Sequence, residues 1–141
     1  MKPGIAAVVA NAAANLRDDI APQLNGFRAG NASMIAAMLD IVAEEWDRAA
    51  ARLVAENADL RSVLVRGAAL VAGPAESPDF GNGDLRISAL ERENERLRTQ
   101  LIELQTAVET RDDAEAQALD QAIWDLLRRS VESRRIASAN F

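Results

Sequence analysis

Two long stretches of this chain, residues 31–66 and 84–141, contain neither glycine nor proline. Such runs leave the backbone little choice. Alanine, leucine, arginine and glutamate dominate both, and these are the residues that give up least entropy on entering a helix. Apolar side chains recur every three or four positions, the period of one helix face. The predicted fold class is therefore all-α, with long helices at about 32–71 and 84–136. A shorter helix is expected at 3–21, where Ile5, Val8, Val9, Ala12, Leu16 and Ile20 share a face and Pro22 ends the run. Asn31 or Ser33 would cap the second helix and Asp84 the third. The third weakens at Thr110, Asp112 and Asp113, so a break near 110–113 is expected, with the tail beyond it packing against the short first helix. Between the long helices, residues 73–83 hold two prolines and three glycines and read as a connection.

The most specific signal is an internal echo. Leu53, Glu56, Asn57, Leu60, Arg61 and Leu64 recur 37 residues later as Leu90, Glu93, Asn94, Leu97, Arg98 and Leu101. In heptad terms the leucines at 53, 60, 90, 97 and 104 fall at d, with Leu39 and Trp46 extending the first series. The a positions include Ala36, Ala43, Ala50, Asn57 and Leu64 on the first helix, and Ile87, Asn94, Leu101 and Val108 on the second. The expected interaction seam is Trp46, Leu53, Asn57, Leu60, Leu64, Leu90, Asn94, Leu97, Leu101 and Leu104. Asparagine at an a position costs stability unless its amide is paired, and its usual role is to fix register or partner number. Glu56 and Arg61, like Glu93 and Arg98, stand at g and e. That spacing lets two parallel helices attract. A short connection argues the other way, for an antiparallel fold-back. The expectation adopted is a long antiparallel helical hairpin with coiled-coil-like packing, plus short flanking helices. It brings Asn57 to Asn94 and forms a helical bundle on dimerisation.

Composition narrows function mostly by exclusion. There is no cysteine and no histidine, and Lys2 is the single lysine. Thiolate and imidazole chemistry and the commonest transition-metal ligands are absent. Asp40, Glu44 and Asp47 share a face but flank the seam, as solvated carboxylates do. No glycine-rich phosphate loop or nucleophile motif is present. The net charge of −6 opposes nucleic-acid binding. No apolar run reaches the length of a membrane span, and a cytoplasmic location is the default. Arg128, Arg129, Arg134 and Arg135 form a basic run, read either as an anion or partner patch or as charge suited to a helix C-terminus. Trp46 and Trp124 are expected in the core, with Phe27 and Phe80 plugging bundle ends. Catalytic, cofactor and metal residues are expected to be absent. The function expected is a non-enzymatic helical interaction or oligomerisation module acting as a homodimer. A small-molecule or acyl-chain binder and an accessory subunit of a separate enzyme are the alternatives.

Overall fold

A computed structural model describes residues 3–70 and 83–138. Phe80 and nearly all of the 73–83 connection lie outside the described residues. Within them there are four helices and no strand: α1 (Ile5–Asn15), α2 (Phe27–Gly67), α3 (Ile87–Glu109) and α4 (Ala114–Ser133). A π-helical turn and a 3-10 turn carry α1 on to Gln23. The chain then turns through Gly26, whose φ of 56° lies in the left-handed region that favours glycine. α2 starts there, earlier than expected, because Gly30 falls in its first turn and does not interrupt it. Ser33 is not a cap: its hydroxyl donates to the Ala29 carbonyl at 3.1 Å. Asp84 is not one either, since α3 begins three residues later. Its carboxylate accepts from the Arg86 backbone amide at 3.0 Å.

The third segment breaks at Thr110–Asp113. Thr110 sits at φ −86°, ψ 0°, closing α3. Asp113 caps α4, its carboxylate accepting from the Ala116 amide at 3.1 Å.

The backbone divides into two compact units. One comprises residues 50–134, the C-terminal part of α2 with α3 and α4. Its core is made of large side chains: Leu60, Leu97, Leu101, Leu104, Val108, Leu119, Ile123 and Leu126 are all buried. The two longest helices of the chain, α2 and α3, pack closely here, but not in the expected antiparallel sense. Asn57 meets Asn94, and Gly67 lies against Leu104. The same 37-residue offset holds at both ends of the contact, so the helices run parallel and in register. An antiparallel pair would put Gly67 some twenty residues from Leu104. The antiparallel hairpin of this unit is α3–α4, joined by the short turn at 110–113. As α4 advances from Leu119 to Arg129 and Arg134, its partners on α2 retreat from Gly67 to Asp59 and Glu56. The apolar face of α4 is thus buried against α2 and α3, not against α1 as expected.

Gly67 marks the closest approach. A Cβ there would sit 2.5 Å from one methyl of Leu104 and 3.0 Å from Leu119. Any larger residue would force the Leu104 methyls to move.

The other unit comprises residues 1–49 and 135–141. Arg17 pairs with Asp40, setting α1 over the face of α2 that carries Ala32 and Ala36. Ala13 and Ala36 are completely buried. Farther along the chain, the tail closes on α2: the Glu44 carboxylate accepts from the amides of Ala137 (2.9 Å) and Ser138 (3.1 Å). These hydrogen bonds hold Glu44 below the usual carboxylate range.

Candidate functional site

Two features stand out. The first is a polar network inside the seam of the 50–134 unit. Asn94 donates from Nδ2 to Asn57 Oδ1 at 2.8 Å, and Asn57 donates to the Leu90 carbonyl at 3.0 Å. Two buried amides thereby satisfy one another, as a-position asparagines in a parallel pair can. Flanking them, Arg61 pairs with Glu93 at 2.9 Å and Arg98 with Glu56. Each copy of the echo supplies the acid of one pair and the base of the other.

The two pairs have different surroundings. Arg61–Glu93 stays partly open, whereas α4 covers the second pair. The Glu56 side chain keeps only 4% of its surface exposed. Arg98 contacts it together with the Ser130 hydroxyl, at 2.8 Å from the latter. Arg134 adds bonds of 2.9 and 3.0 Å to the two Glu56 oxygens. Burial pushes the Glu56 carboxyl up, but hydrogen bonds from Arg98, Asn94 and Arg134 outweigh it and hold the group below its ordinary value. Heptad position alone did not reveal this burial, because g residues are normally solvated.

Of the residues named for the seam, Leu53, Asn57, Leu60, Asn94, Leu97, Leu101 and Leu104 are buried, and Leu64 and Leu90 half-buried. Trp46 remains 53% exposed, and Trp124, also expected in the core, is 46% exposed. The basic run is not an open cluster. Arg128 pairs with Asp125 at 3.1 Å, Arg129 with Asp59 at 3.3 Å, and Arg134 with Glu56. Arg135 is engaged as well. The expected acidic face is likewise tied down, Asp40 by Arg17 and Glu44 by the tail. Among the described residues no group of three acidic side chains converges as a metal site requires. A cleft of about 150 Å³ lies between α2 and α4, bordered by Arg52, Glu56, Asp59, Arg129, Ser130 and Ser133. That is below the ~300 Å³ at which ordinary ligand pockets begin.

The second feature is apolar. On the N-terminal part of α2, Met34, Ile35, Met38, Val42 and Trp46 follow one another at helical spacing and are each about half exposed. Phe27, expected to plug a bundle end, is 86% exposed at the start of the same helix. By spacing, Trp46 stands one heptad before Leu53 and two before Leu60. The fully buried side chains of this unit among the described residues are all alanine: Ala13, Ala21, Ala32, Ala36 and Ala49. Its large apolar groups are half-buried, as at Val9, Leu16, Leu24, Leu39 and Ile41, or exposed.

No helix among the described residues is long and apolar enough to cross a membrane. The chain matches no protein-family model, no curated protein and no solved structure.

Proposed function

We propose that this chain is a non-enzymatic helical module for protein–protein interaction or oligomerisation. One observation carries the reading: the buried residues of the 1–49 unit are alanines, while Phe27, Met34, Ile35, Met38, Val42 and Trp46 are left exposed along α2. Contiguous apolar surface of this kind on a folded protein marks a place where another surface sits. The 50–134 unit supplies the scaffold, with its own leucine core and a coiled-coil-like α2–α3 seam. Its polar groups serve the fold: Glu56, Arg98 and Arg134 neutralise one another, and the asparagines bond each other. Glu56 borders the small cleft between α2 and α4, but its carboxylate is already engaged by Arg98 and Arg134.

The reading requires that the stripe not be covered by its own chain. Trp46 reports on this directly once Trp124 is replaced by Phe. Quenching of the remaining emission by acrylamide is expected to show Trp46 either open in a monomer or shielded in an assembly. A monomer in which Trp46 is shielded would overturn the proposal, because the stripe would then be part of an internal core.

A further inference from the structure

Resting on that reading, we infer that the occupant of the α2 stripe is a second copy of this chain, docked about a twofold axis near Met38.

The first argument is area. Of six large side chains from Phe27 to Trp46, each with a surface of ~200 Å², Phe27 leaves most of it open and the other five about half. Together they offer ~600 Å², and the polar flanks of the helix bring this to the ~800 Å² per partner of a standard interface. The second argument is need. The 50–134 unit has a core of its own, but a unit whose buried residues are alanines gains little from its own packing. A surface on which folding depends must be covered whenever the protein is present. A second copy is the partner whose supply always matches demand, and obligate homodimers have this property. The third argument is composition: the stripe runs at four-residue spacing through Met34, Met38, Val42 and Trp46. Its residues, two methionines among aliphatics and one tryptophan, are those enriched at the centre of interfaces. A twofold arrangement uses one patch on both copies. Whether the two α2 segments cross parallel or antiparallel, a residue at the middle of the stripe lies near its own copy, and Met38 occupies that place.

The test combines three measurements on the full chain. Mass is followed by light scattering across a hundredfold dilution. Acrylamide quenching of Trp46 is read in Trp124→Phe. Disulfide formation under mild oxidant is compared between Met38→Cys and Gln117→Cys, each the sole cysteine in its chain; Gln117 is exposed on α4. The expected result is twice the chain mass, a shielded Trp46, and a covalent dimer forming at least tenfold faster from Met38→Cys. A single-chain mass with Trp46 open would overturn the second copy while leaving the interaction reading intact. A single-chain mass with Trp46 shielded would overturn both. A dimer in which Met38→Cys crosslinks no faster than Gln117→Cys would place the contact on another face and overturn the inference.

Discussion

Glu56 shows how far one residue's role depends on what packs over it. Its sequence twin, Glu93, has the same neighbours at the same spacing, yet keeps more of its surface exposed. The difference is α4, which brings Ser130 and Arg134 to one side of the helix pair only. Removing the Glu56 charge would leave Arg98 and Arg134 facing each other without the carboxylate between them. Glu56→Gln is therefore expected to cost about 2 kcal/mol at neutral pH, less than for a fully buried pair because both arginines are partly open. The acid dependence has a definite sign. The folded-state carboxyl is held below its unfolded value, so its stabilisation is complete above the unfolded value and is lost as pH falls through the folded one. Urea unfolding followed by Trp124 emission should show stability level from about pH 7 to 5 and falling below about 4.5. The slope should be shallower in Glu56→Gln. A variant as stable as the parent and equally steep in acid would remove Glu56 from its central place.

At the scale of helices, much was legible in the sequence. The long elements follow from period and alanine content, and the break from Thr110, Asp112 and Asp113, whereas the capping role went to Asp113 and not to Asp84. The direction of α3 relative to α2 is legible in the charges: Glu56 to Arg61 and Glu93 to Arg98 are spaced for g-to-e pairing between parallel helices, and Arg98–Glu56 and Arg61–Glu93 form in that way. The length of the connection does not decide direction. Residues 68–86 can reach about 60 Å when extended, while bringing Ile87 beside residue 50 requires a return of only about 25 Å along the helix. Direction is also what gives Gly67 its role, since parallel register puts Leu104 beside it. Gly67→Ala should gain helix propensity of up to ~1 kcal/mol and lose more than that to crowding. The methyls of Leu104 would have to move within a buried core, Leu104 being 1% exposed. A net loss of about 1–2 kcal/mol is expected from chemical denaturation. An equally stable Gly67→Ala would mean that the helices are farther apart than the structure places them.

The molecule as a whole comprises two units of opposite character. Heptad position placed Trp46 in the same class as Leu53, and periodicity alone could not separate them. What distinguishes them is coverage: Leu53 has helices packed over it and Trp46 is left half open. Each unit carries one tryptophan, Trp46 in the first and Trp124 in the second, so each can be followed separately in single-tryptophan variants. A leucine core of three helices should unfold cooperatively at a temperature that does not depend on protein concentration. A unit with buried alanines and an apolar exterior should hold together only as firmly as its intermolecular contact, and mass action makes that contact weaken on dilution. Heating is therefore expected to give two transitions in place of one. The Trp46 signal in Trp124→Phe should change first, at a midpoint that falls by several degrees over a hundredfold dilution. The Trp124 signal in Trp46→Phe should change later, at a midpoint that stays fixed. Coincident transitions, both independent of concentration, would show that the 1–49 unit draws its stability from within its own chain, and the exposed stripe would then need no second molecule to explain how this unit stays folded.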